Sequence, residues 1–355
     1  MAVSEKHEGR PRKVTIREVA AAAETTIGTV SLALRGSSRI SRATRERVQR
    51  AADQLGYQPH LPARLLREQR PRRIGLIWKV GQEFHEVLLD RLHRLATAQD
   101  CELVTAGTSP AFGLGEAFSS LLSLRCQALI LIDARPTPAM RKAYPDRGGI
   151  VLIGQSPPTG TTSVVTSAND TGMSEALAHL AGLGHRSIAY LEGPRGPSAS
   201  ARRDSFERAI AATGLHGLVL PGGNDISAGF ESFNRHRDIL ARDAVTAAVC
   251  YNDQCAEGLV IAALKAGLRL PEDLSVIGTD DSTLARSSSL SLTSINKNPA
   301  RLAELAFQAA LVRLDPPGDA GEPPPARQVV DSYLVVRSST AEPRRGQRSS
   351  AETSS

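Results

Sequence analysis

Aromatic residues are scarce in this chain of 355: seven Phe, five Tyr and one Trp, 4% of the whole. Its core must be built from Ala, Leu, Val and Ile. The four cysteines, Cys101, Cys126, Cys250 and Cys255, contain no Cys-x-x-Cys pair. That excludes the usual zinc spacings, and they read as small core residues in a reducing compartment. No apolar run approaches the roughly 20 residues of a membrane span. The polar segment Met1–Lys13 lacks the apolar stretch of an export signal. A cytoplasmic protein with no membrane contact is expected. No G-x-S-x-G elbow, phosphate-binding G-x-x-x-x-G-K-[ST] loop or H-E-x-x-H helix occurs. No catalytic residue, metal or cofactor is therefore expected.

What the chain has is an uneven charge. The net charge is +6, yet residues 1–73 hold 16 Lys/Arg against 7 Asp/Glu, and the rest is slightly acidic. A basic N-terminal module attached to an acidic body favours contact with phosphates, whose condensed counterions basic side chains displace. A soluble Arg-rich tail without a partner fits the charge alone equally well.

Within the basic module three short helices are legible. Thr15-Ile16-Arg17-Glu18 is a capping box, with Thr15 at the helix start and Glu18 reaching back. Thr26 can cap a second helix, Ile27–Leu34, ending at Gly36. Ser41 can cap a third, Arg42–Leu55, ending at Gly56. Two short helices joined by a tight turn and braced by a third are the helix-turn-helix plan.

From Arg73 the pattern changes. Apolar strand-like runs at 74–78, 102–106, 128–132, 150–153, 187–191, 247–251 and 275–278 alternate with helical stretches at 87–98, 117–124, 173–183, 203–212 and 256–266. Such alternation predicts parallel sheets covered on both faces, enough for two, with a ligand cleft between them. Asp315–Ala326, DPPGDAGEPPPA, is a Pro/Gly loop.

The ordered set of segments resembles the LacI/GalR family of bacterial repressors over roughly residues 14–340. The specific parts are Thr29-Val30-Ser31, residues 44–48 (TRERV), residues 55–59 (LGYQP), residues 63–66 (ARLL), residues 73–77 (RIGLI), residues 183–186 (LGHR), residues 251–254 (YNDQ), residues 270–278 (LPEDLSVIG) and residues 334–340 (LVVRSST). The resemblance implies an α/β protein: an all-α helix-turn-helix headpiece and a two-subdomain, doubly wound body like a periplasmic binding protein. The expected layout is a disordered arm at 1–13, the headpiece at 14–58, a hinge helix at 59–72, the body at 73–340 and a disordered tail at 341–355. The chain is expected to cross between subdomains near 163–165, 291–293 and 326–329. The implied partners are a pseudo-palindromic double-stranded operator, a second copy of the chain and a small effector, carbohydrate in class.

The resemblance also places the contacts. Ile27, Gly28 and Leu32 match base-reading positions on the second helix. They are unusual there, because none offers a side-chain hydrogen bond, although the two apolar ones can meet thymine methyl groups. The alternative for Ile27 and Leu32 is inward packing. Arg35 is placed to reach guanine or phosphate. Thr15, Thr26, Thr29, Ser31 and Arg39 match phosphate contacts, a role compatible with helix capping. Glu24 stands where a small turn residue is usual. In the hinge, Leu66 matches a minor-groove wedge with Arg64 beside it, or else Leu65 and Leu66 are ordinary linker apolars. Around the cleft, Phe84, Arg202, Asn252 and Asp280 match effector contacts: a stacking ring, a rigid donor fork and two hydroxyl partners. Phe84 as core, and Asp253 or Asp280 as turn caps, are the alternatives. Ser167-Ala168 stands where the family often has Asp-Asn, followed here by Asn169 and Asp170. A sugar-binding transport protein and an enzyme with a DNA-binding appendage are the competing readings. The basic headpiece speaks against the first, and the lack of a catalytic cluster against the second.

Overall fold

The computed structural model describes residues 14–34, 40–57, 72–144, 149–154, 162–314 and 327–344, the side chain of Arg313 excepted. They belong to two compact units, Met1–Pro71 and Arg72–Ser355.

The first unit holds α1 (Ile16–Ala22), α2 (Ile27–Leu34) and α3 (Arg42–Leu55). Each start is set by a side chain that satisfies backbone donors the helix leaves open. Glu18 accepts from the Thr15 backbone N–H at 2.7 Å and from its hydroxyl at 2.9 Å. Thr26 Oγ1 accepts from Thr29 N at 3.1 Å, and Ser41 Oγ from Thr44 N at 3.3 Å. Gly56 ends α3 in the left-handed conformation, φ 63°. Val19, Val30 and Val48 are fully buried and meet Ala20, Ala23, Ala33, Ala51 and Ala52. Small side chains let three short helices approach closely without aromatics. Arg47 ties α3 to the end of α1 by donating to Ala23 O at 3.0 Å.

The second unit is built on two six-stranded sheets. In the first, β1 (Arg73–Lys79), β2 (Glu102–Thr108), β3 (Ala128–Ile132), β4 (Ile150–Ile153), β5 (Thr162–Ala168) and β11 (Arg327–Asp331) run parallel in the order β11-β5-β4-β3-β1-β2. Helices α4 (Glu83–Ala98) and α11 (Pro299–Leu314) cover one face, and α5 (Leu114–Ser123) and α6 (Pro138–Ala143) the other. In the second sheet, β6 (Ser187–Glu192), β7 (His216–Pro221), β8 (Ala247–Cys250), β9 (Ser275–Thr279), β10 (Thr293–Asn296) and β12 (Tyr333–Val335) follow the order β12-β10-β9-β8-β6-β7, with β12 antiparallel to β10. Helices α7 (Asn169–Gly182) and α8 (Pro197–Thr213) pack on one face, α9 (Ile226–Arg242) and α10 (Asp253–Lys265) on the other. Burial on both faces explains why β3, β4 and β9 are continuously buried rather than alternating. Cys126, Cys250 and Cys255 are buried free thiols, and Cys101 is half-buried.

The strand pairings fix where the chain changes subdomain. Positions 163–165 lie in mid-β5, paired with both β4 and β11, so the first crossing falls after Ala168. β10 stays in the second sheet to Asn296, so the second crossing is Lys297-Asn298 rather than 291–293. Residues 327–329 are already β11, and the third crossing is Ser332. All three fall later than expected because each strand completes its pairing before the chain leaves the sheet. Ser332 is pinned by accepting from Gly172 N at 3.0 Å and by donating to Ala168 O, beside the first crossing.

The start of the expected tail is also different. Ala341 N donates to Ser275 Oγ at 3.0 Å, Ala341 O lies 3.0 Å from His185 Nε2, and Arg344 pairs with Asp273 at 3.3 Å. Ala341–Arg344 are thus held against the second subdomain by polar bonds, which an apolar-pattern reading does not register. The rest of the expected tail, the arm at 1–13, the hinge beyond Tyr57 and the loop at 315–326 lie outside the described residues.

Candidate functional site

In the helical unit, the turn between α1 and α2 puts Glu24 at φ 47°. A non-glycine residue there costs on the order of 1 kcal/mol, which is why a small residue suits this turn. The reward is the orientation of α2. Its inner face gives Val30 and Ala33 to the core, while Ile27 is 39% exposed. Leu32, Thr29 and Ser31 are half-buried, and Thr15, Thr26 and Gly28 are exposed. Neither Ile27 nor Leu32 belongs to the apolar cluster of the three helices. The Thr26 and Thr29 hydroxyls are 3.0 Å apart at the start of α2. Arg35, Arg39, Arg64 and Leu66 lie outside the described residues.

In the body, a cleft lies between the two sheets at the carboxyl ends of their strands, where open parallel sheets place ligands. Phe84 and Asp133 line it from the first subdomain, Ser198 and Arg202 from the second, and Lys297 from the second crossing. The first turns of α4, α7 and α8 supply Phe84, Asn169 and Ser198.

Lys297 is 5% exposed. Its ammonium lies 2.6 Å from Asp280 Oδ1 and 3.3 Å from the centre of the Phe84 ring. Phe84 therefore does two things, packing one flank into the core and offering a ring face to a cation. Burial, followed by the repulsion of Arg202, lowers the Lys297 pKa. Asp280 takes φ 119° just past β9 and faces this ammonium; it caps no helix.

Arg202 is 6% exposed. Its guanidinium lies 4.2 Å from the Tyr251 ring centre, and Nη1 donates to Tyr251 O. Its Nε has no hydrogen-bond partner. Asn252 is placed differently from the sequence expectation. Its Oδ1 accepts from Cys255 N at 2.9 Å and its Nδ2 donates to Asn224 O at 3.0 Å. The amide caps α10 and holds the neighbouring loop, so both ends are engaged within the protein. It is not among the residues lining the cleft.

Asp133 and Lys297 escaped the sequence reading. Asp133 directly follows the apolar run 128–132, and a strand-end acid is a signal that was there to use. Lys297 follows a strand, TSIN, that is mostly polar and shows no apolar run. The Lys79 backbone N–H donates to His85 Nδ1 at 3.0 Å, so the ring proton sits on Nε2, 3.6 Å from Asp133 Oδ2. Ser198 donates to Asp133 Oδ1 at 2.7 Å across the cleft. Desolvation would raise the Asp133 carboxyl, but His85, Lys297 and Ser198 outweigh it and hold it well below the usual range. Gln82 meets Asn224, and Gln254 donates to Gly81 O at 3.1 Å, so further polar contacts join the two subdomains.

A helix-turn-helix unit carried in one chain with a two-sheet body and a charged cleft is the plan of one class of bacterial regulatory proteins. Residues 15–60 match the model of the lacI family of bacterial regulatory proteins, and residues 177–340 that of the periplasmic binding protein-like domain. The chain is 31% identical over 307 residues to the HTH-type transcriptional regulator GalS of Salmonella typhimurium, covering 84% of this chain and 89% of the relative. It superposes on a LacI transcriptional regulator from a Rhodococcus species with a TM-score of 0.71, at 28% identity, over 77% of this chain and all of that one. The lac repressor dimer bound to operator and an anti-inducer shares the fold, with a TM-score of 0.73 at 24% identity, over 93% of this chain and all of that one. The chain belongs to the lacI family. Among the described residues, no helix is long and apolar enough to cross a membrane.

Proposed function

We propose that the protein is a sequence-specific DNA-binding repressor. It acts in the cytoplasm as a homodimer, without catalysis, and a small polyhydroxylated ligand in the cleft tunes its operator affinity. The observation that carries this is α2: a capped second helix of a helix-turn-helix whose leading residues, Ile27 and Gly28, stay out of the core, in a chain that follows a transcriptional regulator over 307 residues. In this reading α2 enters the major groove. Ile27 and Leu32 meet thymine methyls, and Gly28 permits close approach. Thr15, Thr26, Thr29, Ser31 and Arg39 position the helix on phosphates, with Arg35 at guanine or phosphate. Leu66, with Arg64 beside it, wedges the minor groove at the operator centre. Phe84, Arg202 and Asp280 serve the ligand, and Asn252 shapes the cleft from behind. Ligand and operator are coupled only through differential affinity of the ligand for two body arrangements.

Selecting bound sequences from random double-stranded DNA tests this. A pseudo-palindrome with an A·T-rich centre is expected, with its enrichment changed by a ligand of the cleft. Leu66→Ala should weaken the selected operator far more than random DNA. No enriched sequence sinks the proposal, and equal losses on both DNAs remove the wedge.

A further inference from the structure

The cleft has a charge pattern of its own. Three charged side chains line it, the cations Arg202 and Lys297 and the anion Asp133. Asp133 already accepts from Ser198 and faces the protonated nitrogen of His85. Both cations are more than nine-tenths buried, and Arg202, which lines this pocket, has a buried Nε without a hydrogen-bond partner.

Lys297 occupies the place a ligand must take. Its ammonium lies on the open face of the Phe84 ring and against Asp280, so any molecule stacking on Phe84 must displace it. A neutral molecule that did so would leave a buried ammonium away from its ring and crowded at its carboxylate. Asp280 alone would then have to support a buried charge that now has both a carboxylate and a ring face. A molecule bearing a carboxylate brings an anion of its own to replace the ring contact that the ammonium loses. It also supplies an acceptor to Arg202 Nε, whose planar fork suits that group. A molecule bearing an amine meets two cations instead. Ser198 and Asn169, at the first turns of α8 and α7, remain for hydroxyl groups.

We infer that the ligand of this cleft is a polyhydroxylated carboxylic acid, a sugar acid, whose carboxylate lies between Lys297 and Arg202. The inference rests on the reading of the cleft as an effector site. A carboxylate fits better than a phosphate because Asp133 and Asp280 stand close by, and a dianion would meet both.

Calorimetry on the full-length protein, at matched ionic strength, tests it. The probes are D-gluconate, D-glucuronate and D-galacturonate, with D-glucose, D-galactose and glucose 6-phosphate for comparison. At least one acid should bind about tenfold or more tightly than its neutral counterpart, a difference equivalent to about 1.4 kcal/mol. Lys297→Gln should erase that preference and Lys297→Arg should keep it. The comparison on the wild-type protein stands alone if Lys297→Gln fails to fold. Equal or better binding of the neutral sugar overturns the inference and leaves the effector reading intact, as does a preference for the sugar phosphate or one that survives Lys297→Gln. Binding of no probe, with operator affinity indifferent to all of them, overturns both.

Discussion

Asp253 shows how one buried acid is both accommodated and exposed to pH. It is 1% exposed, and accepts from Ser282 N and Ser294 Oγ, each at 2.7 Å. Its carboxylate lies so close to β9 that a Cβ on Gly278 would come within 2.0 Å of Oδ1, so only glycine fits there. Desolvation and the charge of Asp280 push its pKa from 3.8 up to about 7, against the two serines. The folded state therefore holds a proton that the unfolded state releases. Stability from this group is complete below about pH 3.8 and is lost as pH rises to about 7, at roughly 1.4 kcal/mol per pH unit. Asp253→Asn mimics the protonated acid and has no such slope. Urea unfolding of both proteins from pH 4.5 to 8 should show curves that diverge steadily and run parallel above about pH 7. Parallel curves throughout the range would mean that burial does not govern this carboxyl. Asp281, in the loop just past β9, is held ionised instead. Burial works against it, but Arg337 at 2.5 Å, Arg286 at 2.9 Å and Asn296 at 2.8 Å supply partners and lower its pKa.

Helices α9 and α10 approach backbone to backbone. A Cβ on Gly258 would lie 2.0 Å from Ile226 O, and one on Gly229 would lie 2.1 Å from Cys255 O. Gly258→Ala must push the helices apart and is expected to cost about 3 kcal/mol or more in chemical unfolding. Gly115→Ala, in α5 with open space around it, should be neutral or stabilise by about 0.5 kcal/mol. Similar losses from both would show that helix propensity, not contact, is being measured. The same elements explain what was legible beforehand. Residues 27–34 and 42–55 were read to the residue, because Thr26, Ser41 and Gly56 punctuate them. Helices α4, α7, α8 and α10 each begin three to six residues before their apolar periodicity does. The first turns of α4, α7 and α8 line the cleft, so a pattern tuned to the core passes over them, and Asn169 and Ser198 with them. Phe84 and Arg202 were found by resemblance. Strand β10, TSIN, is mostly polar and offers no apolar run, so Lys297, which follows it, went unnoticed. The helical stretches α9 and α11 were missed as well, although Phe230, Phe233 and Leu240 mark an apolar face in α9 at helical spacing.

At the scale of the molecule, the charge is divided between the two units: 14 Lys/Arg and 7 Asp/Glu in residues 1–71, against 29 and 30 in residues 72–355. If residues 1–73 alone contact DNA, binding is driven by release of phosphate counterions in proportion to the contacts made. A dimer presents this basic set twice. With roughly six to ten phosphate contacts, operator affinity should fall about 10³- to 10⁵-fold between 50 and 200 mM salt. Residues 72–355, a compact unit by themselves, should show no retention on DNA at either salt. Ile27, Gly28 and Leu32 offer no hydrogen bonds to base edges, so phosphate contact and duplex shape must carry more of the affinity than in a polar reader. The salt slope should then be nearly as steep on a selected operator as on random DNA of the same length, with the two lines offset. Fluorescence anisotropy across a salt series measures both slopes. A shallow operator slope beside a steep one on random DNA would show that bases, not phosphates, hold this protein on its site, and would return the reading of α2 to polar contacts made by residues beyond Leu34.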